Sequence, residues 1–218
     1  MIFPFQSSAE RLRNKTEKQL DVYSKPTIDF FVLITCSSVI ISLGLLLDNA
    51  AVIIGGMVVA PLITPFFGFS LYFLLFKWRG MLRALLSIFL GSILAITVAM
   101  IVGQLVVLIY NEDIIATTEI ISRTRPDLLY FLVALFSGLV GTYAYGRKNQ
   151  AEKIVGIAIS AAVVPPLSVA GLAIAKMNFE IFTQSSYLFL LNLLGIFMGS
   201  VLMFLFLGFG RDIEEIKS

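Results

Sequence analysis

The chain has 218 residues, 58% of them hydrophobic and only 14% charged, with a net charge of +2 and a mean hydropathy of +0.94. Soluble domains carry roughly a quarter charged residues and have no room to hide this much apolar surface, so the composition describes an integral membrane protein. Histidine is absent and Cys36 is the single cysteine, which excludes Cys/His zinc sites, iron–sulfur clusters, catalytic triads and an internal disulfide, while the small charge argues against nucleic acid as a partner.

Residues 1–27 form a mixed-charge tail. No apolar run precedes residue 28, so nothing in the tail reads as a cleavable signal peptide. Ser8–Ser24 can form a helix capped by Ser7 or Ser8. Its apolar positions (Leu12, Leu20, Tyr23) are sparse, which predicts a solvated or interfacial helix rather than a binding domain.

Six uncharged stretches follow: Phe30–Leu47, Asn49–Phe76, Ala84–Asn111, Leu128–Gly146, Ile154–Ala175 and Ile181–Gly210, of 18, 28, 28, 19, 22 and 30 residues. A spanning helix needs about 20 mostly apolar residues, so each stretch supplies one span. Backbone groups in lipid must be satisfied internally, and none of the runs alternates in polarity as a barrel strand does, so the spans are helices.

Lysine and arginine set the orientation. With both termini in the cytoplasm of a bacterial-type inner membrane, 13 of the 16 lie inside: Arg11, Arg13, Lys15, Lys18, Lys25, Lys77, Arg79, Arg83, Arg147, Lys148, Lys153, Arg211 and Lys217. Only Arg123, Arg125 and Lys176 lie outside, as the positive-inside rule requires. Trp78 falls at an inner boundary and Tyr110, Tyr130 and Tyr187 at outer ones, where interfacial aromatics belong.

Spans 2 and 5 resemble each other. Ile54-Gly55 is followed by Pro65 ten residues after the glycine, and Val155-Gly156 by Pro166 at the same spacing; in that register Asp48-Asn49-Ala50 faces Asn149-Gln150-Ala151. The halves are therefore spans 1–3 and 4–6. An odd number of spans in each half makes the second cross in the opposite sense, which is the inverted-repeat plan of many secondary transporters. The expected fold is all-α: six transmembrane helices in two inverted three-helix repeats, with spans 2 and 5 broken at prolines. The segments are a cytoplasmic tail (1–27), membrane repeat 1 (28–110), an extracytoplasmic loop (111–127), membrane repeat 2 (128–208) and a cytoplasmic C-terminal tail (209–218).

Four of the seven prolines, Pro61, Pro65, Pro165 and Pro166, lie in spans 2 and 5. Each removes a backbone N–H and clashes with the carbonyl four residues before it. Thr64-Pro65 reads as a helix start, and Val164-Pro165-Pro166-Leu167-Ser168 as a more poorly capped one. Each span then becomes two half-helices, the second presenting its N–H groups and partial positive charge at mid-membrane. Pro in a membrane helix also commonly does no more than kink it.

Small residues recur at four-residue spacing: Ser87, Gly91, Ala95, Ala99 and Gly103 in span 3, Gly195 and Gly199 in span 6, and Ala134/Gly138 and Ser137/Gly141 in span 4. Close helix packing is the reading favoured for them, with span 3 or span 6 a candidate subunit interface. Asp29 is read as reaching water and Asp48-Asn49 as capping span 2, while Gln104 and Asn192 are read as interhelical hydrogen-bonding residues. Arg123 and Arg125, on the less positive face, form either an electropositive outer vestibule or ion pairs with Asp48, Glu112 or Glu119.

The stretches Leu45–Leu62, Ser122–Leu129 and Val163–Leu167 resemble the uncharacterised hydrophobic domain family of bacteria and archaea (domain of unknown function 389), over roughly Ile28 to Leu207. The resemblance implies the membrane fold and the importance of these three segments, and no substrate. Many members carry a longer soluble domain ahead of the membrane part, where this chain has its 27-residue tail, so nothing assigned to that domain transfers.

The leading functional reading is a transporter or channel for a small solute, with an anion expected because the broken segments hold no acidic residue. Its substrate-binding residues would be Gly55, Gly56, Pro61, Thr64 and Pro65 from span 2 and Gly156, Pro165, Pro166 and Ser168 from span 5. The carbonyls freed by the prolines offer a small cation such as Na⁺ an alternative. The lipid bilayer is the obligate partner, and a homodimer or homotrimer would supply walls that 218 residues lack. A second reading is a non-transporting sensor or scaffold working through its small-residue stripes. An enzyme is the weakest reading, since no histidine or central acid offers a base, no nucleotide loop is present, and no metal or cofactor is called for.

Overall fold

A computed structural model describes residues 14, 16–18, 20, 26–110, 117–146 and 151–209, with the stretch 151–162 as backbone only. Among the described residues there is no strand. The helices after residue 26 are α1 (Ile28–Leu46), α2 (Ala50–Val59), α3 (Ile63–Leu74), α4 (Trp78–Tyr110), α5 (Thr118–Ser122), α6 (Leu128–Gly146), α7 (Ala151–Ala175) and α8 (Phe179–Phe206).

Burial is inverted relative to a soluble protein. α4 turns Leu85, Leu86, Phe89, Ile93, Ile101 and Leu105 outward and buries Ala84, Ser87, Gly91, Ala95, Ala99 and Gly103. Ser37, Ser38, Ser42, Thr142, Ser168 and Ser200 lie inside. Large apolar groups outside and small or hydroxyl groups inside suit a lipid surround, where packing and interhelical hydrogen bonds replace the hydrophobic effect. α1, α4, α6 and α8 are each long and apolar enough to cross a membrane, and α2 with α3 makes a fifth candidate. The chain is a multi-pass helical membrane protein.

Helix ends follow local chemistry. Thr27 caps α1 through Phe30 N–H, and the Asn49 side chain caps α2 by accepting from Ala51 and Val52 at 3.0 and 3.2 Å. Asn178 does the same for α8 through Ile181 N–H. Four helices end in one motif: Asp48, Phe76, Met177 and Gly208 take positive φ, and the next N–H reaches back to Gly44, Tyr72, Ala173 and Phe204 respectively, at 2.9–3.0 Å. That six-to-one bond closes a helix and reverses the chain in about three residues.

The helices pack through glycine. A Cβ on Gly138 or Gly199 would collide with backbone oxygens of the facing helix (Ile196 and Leu135), so α6 and α8 are in backbone contact. Gly171 of α7 meets Ile96 O and Ala99 on α4, and Gly103 of α4 meets Leu172 and Ala175 of α7. Gly91 meets Ile34 and Leu62, and Gly56 meets Ile41. The span 3 and span 6 stripes are thus filled by helices of the same chain, so the described structure does not present either stripe as a subunit interface.

Two further expectations change. In the tail, Thr16 and Leu20 are 3% and 0% exposed, and Glu17 pairs with Lys77, so these residues dock on the bundle instead of facing solvent. In the second half, α7 runs without interruption through Pro165 and Pro166, so span 5 is not broken there. The expected match of Asn149-Gln150, the basic residues Arg11, Arg13, Lys15, Lys25, Arg147, Lys148, Arg211 and Lys217, and Glu112 fall outside the described residues.

Candidate functional site

α2 and α3 meet at a bend of 54° across residues 60–62. The residue before a proline is pushed out of the helical region, and Ala60, preceding Pro61, takes φ −69° and ψ 122°. The turn before it rearranges. Ala60 N–H bonds to Met57 O at 3.2 Å, which leaves Gly56 O without its helical donor. The Ser37 hydroxyl of α1 donates to that carbonyl at 2.8 Å. A buried hydroxyl therefore satisfies the group that the break freed, as a low-dielectric interior demands.

The far side of the break differs from expectation. α3 begins at Ile63 with Leu62 as its N-cap and no side-chain cap bond. Thr64 is thus its second residue and Pro65 its third, not cap and first residue. Pro65 is tolerated because the first-turn N–H it lacks would have had no intrahelical partner. Leu62, Ile63, Pro65 and Phe66 are buried. A helix N-terminus with no side-chain cap, and the positive end of its dipole, therefore sits inside the bundle.

The other residues named for the site do not share one environment. Gly56 is a packing glycine against Ile41, whereas Gly55 is exposed on the outer face of α2, where a Cβ would meet open space. Pro61 is half-buried at the bend and Thr64 half-buried just after it, with an interaction partner of its own. Pro165, Pro166 and Ser168 are buried in α7, and Ser168 Oγ has no hydrogen-bond partner. Gly156 lies in the backbone-only stretch of α7.

The two halves of this set lie at one depth. Leu62 touches Gly91 of α4, and Gly171 touches α4 at residues 96–100. α4 and α7 run side by side in the same direction, since Gly103 further along meets Leu172 and Ala175. A shift of about seven residues toward the start of α7, roughly 10 Å, puts Val164–Pro166 level with Leu62. α7 also packs directly on α2 and on α3.

Several buried hydroxyls have no hydrogen-bond partner: Ser92 on α4, Ser38 on α1 and Ser168 on α7 within about a turn of this level, and Ser42 further along α1. Buried polar atoms are normally satisfied, and serine in a helix usually bonds its own backbone, as Ser70 does to Phe66 O and Ser87 to Arg83 O. The sequence reading missed Ser37, Ser38, Ser42 and Ser92. The signal was there in Ser37-Ser38 followed by Ser42, three hydroxyls within one apolar run.

The outer loop is held by polar contacts. Thr117 donates its hydroxyl to Leu45 O at 2.8 Å, and the Asp48 carboxylate accepts from Glu119 N–H at 2.8 Å. Asp48 therefore ties α5 down, while Asn49 alone caps α2. Arg123 pairs with the Glu119 carboxylate and also donates to its carbonyl, so its charge is committed to a local ion pair; Arg125 is exposed. Among the described residues no group of histidine, cysteine or acid side chains could hold a metal ion. Gln104 faces outward and Asn192 is buried.

The chain is 27% identical over 173 residues to "Uncharacterized protein MJ0678" of Methanocaldococcus jannaschii. That alignment covers 79% of this chain and 52% of the relative, so the chain spans about half the length of the relative it matches. No solved structure matches it. Residues 57–198, which hold the bend and the α7 prolines, match the family described as a domain of unknown function (DUF389), and the chain belongs to that family.

Proposed function

We propose that the protein is a transporter or channel for a small solute, an anion first, that binds where the α2–α3 break faces α7. The observation that carries the reading is the buried, side-chain-uncapped N-terminus of α3. Its N–H groups and dipole favour negative charge, no acidic side chain lies in α2 or α3 to compete, and irregular backbone at membrane depth persists where it lines a cavity or is enclosed by protein. Thr64 beside it and the unpartnered Ser168 add hydroxyls. No catalytic base is needed, and on this reading the protein is not an enzyme.

The reading takes six spans in two inverted repeats, in an inner membrane with both termini cytoplasmic. Packing supports this plan. In one half α1 packs on α2 and α4, and α3 on α4; in the other α6 packs on α7 and α8, and α7 on α8. Between the halves α4 packs on α7 and α8 on α3, as exchange of the repeats requires. Phe76 and Met177, the positive-φ residues closing α3 and α7, stand 101 positions apart, the same spacing as Gly55 to Gly156 and Pro65 to Pro166. A dimer or trimer completes the walls, with Arg125 the free charge of an outer vestibule. The sensor or scaffold reading placed its surface on small-residue stripes that the chain uses internally.

The test is thermal unfolding of purified protein in detergent against chloride, sulfate, phosphate, short carboxylates, Na⁺ and K⁺. A ligand that binds only the folded state stabilises it by about 2.7 kcal/mol at a hundredfold excess over Kd. A shift with an anion that Thr64→Val removes supports the reading and names a solute for flux assays. A shift with a cation moves the site to freed carbonyls. No shift across the panel sinks the solute site.

A further inference from the structure

We propose that Thr16, Glu17 and Leu20, described residues ahead of α1, form a strap that holds the tilt of α3 and so sets the state of the break at Ala60–Leu62. The strap has two attachments. Thr16 and Leu20, one helical turn apart, are buried in the bundle, Leu20 within the main apolar cluster. Between them Glu17 pairs with Lys77 in the turn that joins α3 to α4. The ion pair is partly exposed, at 23% and 50%, and such pairs orient more than they hold. Leu20 holds, and Glu17–Lys77 sets where.

Lys77 is rigidly joined to α3. Its N–H bonds to Tyr72 O at 2.9 Å, and Phe76 before it takes φ 52°, so the turn moves with the last turn of the helix. α3 is 12 residues long, about 18 Å, and its other end is the break. The 54° joint to α2 is the one place along this span where the helix gives way. A force at Lys77 therefore reaches Leu62 as a change in tilt, with the Ala60–Leu62 backbone absorbing it. The strap is a regulator of the same break that the proposed function uses; its relevance to transport rests on that reading, but the coupling exists without any solute.

The experiment uses the full chain in lipid nanodiscs and reads amide hydrogen exchange in peptides spanning residues 57–66, with peptides from α6 and α8 as controls. Leu20→Asp puts a charge where none is tolerated and should release the strap, raising exchange at 57–66 at least fivefold while the α6–α8 peptides stay unchanged. Lys77→Glu should raise it two- to threefold, and the charge exchange Glu17→Lys with Lys77→Glu should restore the original rate. Release is checked separately with Thr16→Cys in a Cys36→Ser background, which leaves the Leu20 anchor in place; an impermeant maleimide should label residue 16 slowly, and Lys77→Glu should speed it. Fast labelling without Lys77→Glu means the segment is not docked, and a released strap with unchanged exchange at 57–66 makes it a passive anchor; either result overturns the proposal. Failure of the anion screen with the exchange coupling intact would sink the transport reading alone.

Discussion

The two proline-bearing segments meet opposite fates. Pro61 accompanies a 54° bend between α2 and α3, whereas Pro165-Pro166, adjacent and therefore worse for a helix, sit inside an uninterrupted α7. The difference lies in the surroundings. Every residue from Val163 to Ala173 is buried, because α7 packs on α1, α2, α4, α6 and α8. α2 has an open side, with Ala51, Ile54, Gly55 and Val58 exposed. A helical segment enclosed on all sides, as residues 163–173 are, keeps its axis and tolerates the lost hydrogen bonds, while a segment at the edge bends where the proline directs it. Proline supplies the tendency and packing decides the outcome.

The largest expected effect tests that enclosure. Gly171→Val puts a branched side chain against Ile96 O and Ala99 in the α4–α7 contact. It should cost about 3 kcal/mol or abolish the folded form altogether, since a well-packed interior has no slack. Gly55→Val meets open space and should stay within about 0.5 kcal/mol. Detergent thermal unfolding and size-exclusion profiles of the pair measure the contrast. Equal sensitivity would mean that the two spans are enclosed alike.

Next comes the proline contrast itself. In α7 the prolines remove hydrogen bonds but also fill buried space, so Pro165→Ala with Pro166→Ala should stabilise by less than the about 3 kcal/mol that helix propensity alone would give. Pro61→Ala should leave stability within about 1 kcal/mol, because Ala60 is already extended and Ser37 already caps Gly56 O. Thermal unfolding checks both. A large gain from Pro61→Ala would mean that the bend is strain and not an accommodated joint.

The fold was legible where composition and local chemistry decide it. Apolar run lengths located every helix that the described residues contain above membrane length, and the Asn49 cap followed from Asp48-Asn49 sitting in a tight turn. What sequence could not supply was whatever depends on the neighbours. Proline identity in span 5 pointed to a break that burial suppresses. Thr64-Pro65 has the residue types of a helix start, but the bend at Pro61 brings the start two residues forward. The regular small-residue stripes were equally suited to a second copy or to the same chain, and only the facing backbones of Leu135, Ile196 and Ile96 decide between them. Leu20 looked isolated in a polar tail because its partners are more distant in sequence than any local pattern reaches.

A smaller effect separates bonded from unbonded hydroxyls on either side of the joint. Ser37→Ala removes the donor to Gly56 O and should cost about 1 kcal/mol, in the range of interhelical hydrogen bonds within membranes. Ser168→Ala removes an oxygen that bonds nothing and should be neutral or slightly stabilising. If Ser168 serves the solute, its substitution should instead appear in the anion-dependent shift, with the ligand-free transition unmoved.

The smallest effect belongs to the outer loop. Arg123 and Glu119 are about four-fifths buried as side chains and lie one helical turn apart. An i,i+4 pair contributes about 0.5 kcal/mol, and Glu119→Gln keeps an acceptor for Arg123, so the unfolding transition should move by less than about 1 kcal/mol. The Asp48 carboxylate is different, since it accepts the Glu119 N–H and joins α5 to the α1–α2 turn. Asp48→Ala should cost about 1 kcal/mol, the value of a lost cap, and should do so in high salt as well, because a short hydrogen bond is screened far less than a rim charge pair. Loss of that cost at high salt would mean that Asp48 holds the loop through its charge and not through the hydrogen bond to Glu119 N–H.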